Sequence, residues 1–172
     1  LLDNDPLPNV TLSVVSATLN ETTGTTSTLV TATLDNVAGR SVTVTVAKTG
    51  SAADTIDYNL SGTTITIPKE VQSASVTLTV VGDLKDEISE TVVINITGVT
   101  NGAAVATGSA VTVTILDDDA TPTVELTVGA PTIDEVAGTT TTITTTVSVT
   151  LSAVSGQTVT VILSKSGTAT DT

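Results

Sequence analysis

Stretches such as VTVTVA (42–47), SVTLTV (75–80) and VTVTIL (111–116) alternate an apolar residue with a hydroxyl residue, and this period of two runs through almost the whole chain. A period of two sends successive side chains to opposite faces of a strand, whereas a helix needs apolar residues three and four apart. Strands and no helix are therefore expected. Gly, Pro, Asn and Asp punctuate the gaps. The strands predicted for the first two thirds of the chain are 10–19, 27–34, 41–47, 62–67, 74–81, 90–97 and 109–116. Seven short strands in roughly a hundred residues suit two packed sheets. The expected fold class is all-β, a seven-stranded antiparallel β-sandwich of Ig-like form, with Val, Ile and Leu inward and Thr and Ser facing water.

Composition makes that core unusual. The 172 residues include no Phe, Trp, Met or Cys and one Tyr, Tyr58, so aliphatic and Thr methyl groups must fill the interior. Their β-branching favours strands. The absence of His and Cys removes thiol nucleophiles, imidazole bases, Cys/His zinc sites and the common haem ligands. A formal charge of −13 argues against nucleic acid and against anionic membrane surfaces. No apolar run of about 18 residues suggests membrane insertion, and no basic leader with an apolar segment is present. The chain starts in mid-pattern, as an internal piece of a longer protein would.

The chain also repeats itself. ATLNETTGTTSTLVTATL (17–34) matches PTIDEVAGTTTTITTTVSVTL (131–151), and GRSVTVTVAKTGSAADT (39–55) matches GQTVTVILSKSGTATDT (156–172). Glu21 falls on Glu135 and Asp5 on Asp119, both 114 positions on, while Asp54 falls on Asp171 at 117, so the second copy carries a three-residue insertion around its second strand. Repeats of this kind are read as tandem modules. The expected organisation is the end of a preceding module and a linker at 1–7, a complete module at 8–119, and the N-terminal half of a second at 120–172.

Successive antiparallel strands carry the chain from one end of a sandwich to the other, so alternate connections share an end. The connections after the first, third and fifth predicted strands and the exit from the seventh then lie together. They hold Glu21, then Asp54 and Asp57, then Asp83, Asp86, Glu87 and Glu90, then Asp117, Asp118 and Asp119. The opposite end has only Asp35 and Glu70, balanced by Arg40 and Lys69. Like charges crowded within a few ångströms repel and raise one another's pKa values. A hard cation reverses that balance, and Ca²⁺ takes about six to eight oxygen ligands at roughly 2.3 to 2.6 Å, commonly from loop carboxylates and carbonyls. Single acids such as Asp35 or Glu125 are read instead as solvated turn residues.

The sequence of NETTG, DTIDY, IPKEVQSASVTLTVVGDLKDEISETVVINI and a closing VTVTILDDD resembles a Calx-beta domain across the first module and, from IDEVAG onward, in the second. The resemblance implies a seven-stranded sandwich that binds calcium in its distal loops. Carried over by position, it implies Glu21, Asp57, Asp83, Glu87, Glu90, Asp117, Asp118 and Asp119 as ligands, with Asp54, Asp86 and the Lys85 carbonyl as weaker candidates. One departure stands out: Gly82 precedes Asp83 and Leu84 follows it, where better calcium binders of the family often carry a run of Asp. Fewer ligands imply fewer or weaker ions.

The expected function is a calcium-binding structural or adhesive repeat of a large extracellular, bacterial-type surface or fibre protein. Ca²⁺ at the exit of one module stiffens the joint to the next, and Pro122 restricts the linker. An intracellular regulatory calcium sensor is the alternative. An enzyme is not expected, because the acids suit a cation and no aromatic platform for a sugar exists. The expected partners are neighbouring modules of the same chain. The unpaired edges of the half module 120–172 also invite completion by another subunit, as a homo-oligomer or filament. Asn9, Asn20, Asn59 and Asn95 begin Asn-X-Ser/Thr sequons, which a chain this rich in Ser and Thr produces by chance. Tyr58 is expected in the core or at a corner, and Lys48 is expected to face solvent.

Overall fold

The computed structural model describes residues 6–101, 103–106, 109–134, 138 and 142–168, and none of them is helical. Asp5, Glu135 and Asp171, used above to align the two copies, lie outside the described residues. The chain divides into two compact units, one of Leu1–Leu84 with Ile88–Asp119 and one of Lys85–Glu87 with Ala120–Thr172.

The first unit is a sandwich of two five-stranded sheets. Its strands are β1 (Asn9–Val14), β2 (Thr18–Asn20), β3 (Thr25–Leu34), β4 (Val42–Gly50), β5 (Tyr58–Leu60), β6 (Thr64–Ile67), β7 (Ser73–Val81), β8 (Glu90–Val99), β9 (Ala104–Val105) and β10 (Ala110–Leu116). One sheet has the order β5-β7-β3-β1-β9 and the other β2-β10-β8-β4-β6. The alternation seen in the sequence becomes two faces: Val10, Val30, Ala32 and Leu34 on one sheet and Val42, Val44, Ile94 and Val113 on the other are fully buried. Tyr58 is the largest fully buried side chain, so the one aromatic ring is a core residue.

The strand plan departs from the expected seven at three places. The predicted strand 10–19 is broken between Val14 and Thr18: β1 pairs antiparallel with β3, and β2 pairs parallel with β10 in the other sheet. The change of sheet follows a slip in the apolar phase, from even positions (Val10, Leu12, Val14) to odd (Leu19). Thr28 Oγ1 accepts the Ser16 N–H at 2.9 Å in the gap. A second short strand, β5, appears just before β6 and joins β7 in the opposite sheet, because the buried pair Tyr58 and Leu60 pulls that stretch across before Ile65 and Ile67 return to β4. β9, finally, adds a two-residue parallel edge beside β1.

The second unit contains β11 (Val124–Val128) and β12 (Val147–Leu151), paired antiparallel. Its ladder sets Val124 opposite Leu151, Leu126 opposite Val149 and Val128 opposite Val147, where β1 and β3 set Val10 opposite Leu34, Leu12 opposite Ala32 and Val14 opposite Val30. The flanking bonds correspond as well. Asn9 N–H donates to Asp35 Oδ1 at 2.8 Å and Asp35 N–H to the Asn9 carbonyl at 3.1 Å; Thr123 N–H donates to Ser152 Oγ at 2.9 Å and Ser152 N–H to the Thr123 carbonyl at 3.0 Å. The match of 156–172 to 39–55, which holds the third predicted strand of the first module, implies a third strand here, but residues 158–166 form none. The matching strand of the first unit, β4, is held by β6 and β8 on its two sides. Among the described residues the second unit has no strands corresponding to β6 and β8.

Candidate metal centre

Backbone pairing brings the acid-bearing segments of the first unit to one end. The parallel ladder of β2 and β10 ends with Asn20 opposite Leu116, and Glu21 N–H donates to the Leu116 carbonyl at 2.8 Å, which sets Glu21 beside Asp117. Across the other edge of β10, Ile115 faces Glu90. Val81 N–H donates to the Asp57 carbonyl at 2.9 Å, joining the turn before β5 to the end of β7. Gly82 lies directly against the turn after β2, and a Cβ there would sit 1.7 Å from the Thr22 carbonyl oxygen. That contact is the physical reason for the departure noted at Gly82, since a side chain cannot replace hydrogen where two backbones touch.

Individual carboxylates then find different surroundings. Glu21 and Asp57 are buried, at 8% and 9% exposure. The Asp57 carboxylate accepts the Ala53 N–H at 2.5 Å while Asp57 N–H donates to the Ala53 carbonyl at 3.0 Å, so Asp57 closes its own turn. Thr55 in that turn has φ of 69°, an uncommon value for a β-branched residue, and its N–H donates to the Tyr58 carbonyl at 2.8 Å. Asp83 and Asp118 are exposed, and Glu90, Asp117 and Asp119 are half-buried, with Oδ2 of Asp119 shielded from solvent.

Asp54 forms an ion pair with Lys48. Lys48 is half-buried rather than solvent-facing as the sequence suggested, and its Nζ stands 5.7 Å from the centre of the Tyr58 ring, within reach of a cation–π interaction. Burial pushes the Tyr58 phenol above its ordinary pKa of 10.0; the charge of Asp54 adds to the push, Lys48 opposes it, and Asp57 adds a smaller share. At the other end of the unit, Asp35 is more than a solvated turn acid. Asn9 Nδ2 and the Asn9 N–H both donate to its carboxylate at 2.8 Å and hold its pKa below the ordinary value.

Lys85, Asp86 and Glu87 belong to the second unit. Asp86 is buried there, its carboxylate accepting Thr121 Oγ1 at 3.2 Å and Ser155 Oγ at 3.4 Å and its carbonyl accepting the Gly156 N–H at 3.0 Å. Glu87 pairs with Lys85. Among the described residues no three carboxylates are grouped so as to hold a metal ion. The structure therefore gathers segments, while several of their carboxylates answer to local donors. Two roles escaped the sequence reading: Lys48 as the partner of Asp54, and Asp86 as a strut of the second unit. The first had a trace in the six-residue spacing of Lys48 and Asp54 around Gly50. The second depends on a pairing distant in sequence, with Ser155.

Among the solved structures that resemble this chain are three Calx ones. One is titled CBD12 from CALX1.2, with a TM-score of 0.56 and 21% identity, covering 64% of this chain and 44% of that one. The fold is Calx-beta-like. A second, the apo-form Calx CBD1 domain, has a TM-score of 0.50 and 21% identity over 64% of this chain and 99% of its own length. A third, titled calcium binding domain CBD12 of CALX1.1, has a TM-score of 0.50 and 22% identity over 60% of this chain and 42% of that one. This chain thus spans less than half the length of the two CBD12 structures and nearly all of the single CBD1 domain. No family model and no curated protein matches it.

Proposed function

We propose that the chain is a calcium-binding structural module of a large extracellular surface or fibre protein, and that the ion stiffens the point where the chain leaves the first sandwich. The observation that carries this reading is the meeting of four acid-bearing segments at that exit, through the Glu21–Leu116, Ile115–Glu90 and Asp57–Val81 pairings and the Gly82–Thr22 contact. The solved structures with this fold include one titled as a calcium binding domain, which supports the same reading.

The donor chemistry fits a hard cation, being all oxygen with no His or Cys anywhere in the chain. Glu21, Asp57, Asp83, Glu90, Asp117, Asp118 and Asp119 are the residues that would hold it. Asp54, Asp86 and Glu87 are left out, since Lys48, the residues around Ser155, and Lys85 engage them. A bound Ca²⁺ supplies the attraction that gathers carboxylates which otherwise repel. Glu21 and Asp57 form the fixed floor, and Asp117 to Asp119 are the part whose freedom is lost. The module is non-catalytic and works beside neighbouring modules of its own chain.

Thermal melts of the full chain, read by Tyr58 fluorescence in EGTA and across a calcium series, test the proposal. Calcium that binds only the folded form stabilises it by about 2.7 kcal/mol at a hundredfold excess over Kd. The Asp117/Asp118/Asp119 to Asn variant should lose that rise. Half-saturation at about 10⁻⁴ to 10⁻³ M fits an extracellular stiffener, while about 10⁻⁷ to 10⁻⁵ M transfers the reading to an intracellular sensor. A midpoint indifferent to calcium removes the ion from the account and leaves the acids as a solvated cap.

A further inference from the structure

The turn after β3 and the turn after β12 are the same turn at two places in the sequence. Asp35 corresponds to Ser152, Ala38 to Ser155, Gly39 to Gly156 and Arg40 to Gln157, and the segment that enters each hairpin aligns Leu7 with Thr121 and Pro8 with Pro122. The shared clamp across Asn9–Asp35 and Thr123–Ser152 shows that the two turns are also anchored alike.

In the second unit this turn is a seat. The Lys85–Glu87 segment lies in it, with the Gly156 N–H on the Asp86 carbonyl and the Ser155 and Thr121 hydroxyls on the Asp86 carboxylate. The fit is close: a Cβ on Gly156 would fall 2.4 Å from Glu87 Oε1. In the first unit the Ala38 carbonyl accepts the Glu70 N–H at 2.9 Å, and beside it Gly39 and Arg40 are exposed. Residues 6–8, 37–40 and Asn101 line a cleft of about 490 Å³, and a Cβ on Gly39 would meet nothing within 4 Å. The cleft also carries a charge that the filled seat lacks, because Arg40 stands where the second copy has Gln157. Among the described residues Arg40 is exposed and has no ion-pair partner.

We propose that this cleft is a docking socket for an acidic loop segment of a second copy of the module, equivalent to Lys85–Asp86–Glu87. The incoming Asp86 carbonyl takes the Gly39 N–H, as it takes that of Gly156 in the second unit. The Arg40 guanidinium meets the Asp86 and Glu87 carboxylates, replacing the two hydroxyl donors that Leu7 and Ala38 cannot supply; a charge-assisted bond of this kind is stronger than a neutral one. Modules then interlock loop into turn. The inference rests on the modular part of the proposed function and does not need calcium at the opposite end.

The test is carried out on the full chain in EGTA, so that its failure and that of calcium binding are separate results. A synthetic peptide of residues 82–90 (GDLKDEISE) is titrated into isotope-labelled chain and followed by amide shifts. Saturable shifts at Gly39 and Asn101 are expected, weakened at least tenfold by Arg40→Glu in the chain and by Asp86→Ala in the peptide. A second arm covers the failure of a short peptide to hold the loop shape. The full-length Thr121→Ala/Ser155→Ala/Gly156→Val variant, in which the segment loses its own seat, should self-associate in sedimentation velocity and return to monomer when Arg40→Glu is added. Shifts indifferent to Asp86→Ala overturn the proposal. So does a static Gly39 amide together with a variant that stays monomeric.

Discussion

The hairpin of β1 and β3 and the hairpin of β11 and β12 pair the same positions in the same register, close with the same backbone clamp, and differ almost completely in burial. Val10, Val30 and Leu34 have no exposed surface, whereas Val124, Val147 and Val149 are 46%, 50% and 42% exposed. The facing sheet β2-β10-β8-β4-β6 makes the difference in the first unit, because it turns an alternating strand pair into half of a core. Hydrogen-bonded pairing and apolar alternation are thus sufficient for a hairpin, while stability is set by what covers the apolar face.

The largest effect that would break this comparison comes from matched leucines. Leu12→Ala, in the buried hairpin, should cost about 2 to 5 kcal/mol, and Leu126→Ala, at the corresponding exposed position, about 0.5 kcal/mol or less. Urea unfolding followed by Tyr58 fluorescence reads the first unit, where the only aromatic residue of the sequence lies, and amide signals of Val124–Val128 and Val147–Leu151 followed in parallel by NMR read the second. Equal losses would mean that the second hairpin is as well covered as the first. Two glycines of the first unit give a contrast in close approach. Gly82→Ala forces a Cβ onto the Thr22 carbonyl and should cost about 2 to 4 kcal/mol, while Gly39→Ala enters open space and should stay within about 0.5 kcal/mol in the same assay.

Proton linkage separates the two ends of the first unit by smaller amounts. Tyr58 is pushed above 10.0 in the fold, so the unfolded chain loses its phenolic proton first. Its contribution to stability is fully present below about pH 10 and declines as pH rises toward the folded value. Ultraviolet titration of this single chromophore should give a midpoint above 10.0 in native protein and near it in urea. Lys48→Ala should move the native midpoint further up, because Lys48 opposes the shift. The smallest effect belongs to the clamp. Asp35 is held below 3.8 by Asn9, so what it contributes is present above that value and fades as pH falls through the lower folded pKa. Asn9→Ala removes the largest of the donors and keeps the backbone N–H of residue 9 and those of Asn36, so the Asp35 titration followed by NMR should move up part of the way toward its ordinary value, and Ser152, in the same place of the second hairpin, has nothing to titrate.

Much of this was legible in the sequence because it is local. Alternation at 42–47, 75–80 and 111–116 placed strands there, and the break in strand pairing between Val14 and Thr18 had a visible trace in the change of apolar phase at Leu19. The extra strand β5 was less visible, since three residues after a turn carry too little pattern to show that Tyr58 and Leu60 cross to the other sheet. At the acidic end, chain direction sufficed to bring Glu21, Asp57, Glu90 and Asp117 to neighbouring segments. The pairing of Asp54 with Lys48 and the burial of Asp86 beside Ser155 were hidden, because a carboxylate's partner depends on which backbone lies against it.

The sequence by itself determined strands without helices, a core built of aliphatic side chains around one tyrosine, an oxygen-only donor set, and two copies of one hairpin at offsets of 114 and 117 residues. Each follows from residue type or from a period of two, which acts within a few residues of itself. Only the tertiary structure decided that the first predicted strand serves both sheets, that Gly82 must be glycine, that Asp86 supports the second unit, and that the turn at Gly39 is open where its counterpart at Gly156 is filled. Those outcomes depend on contacts between residues far apart in the chain, where close packing and the demand of every buried polar group for a partner choose among arrangements that local pattern leaves equal.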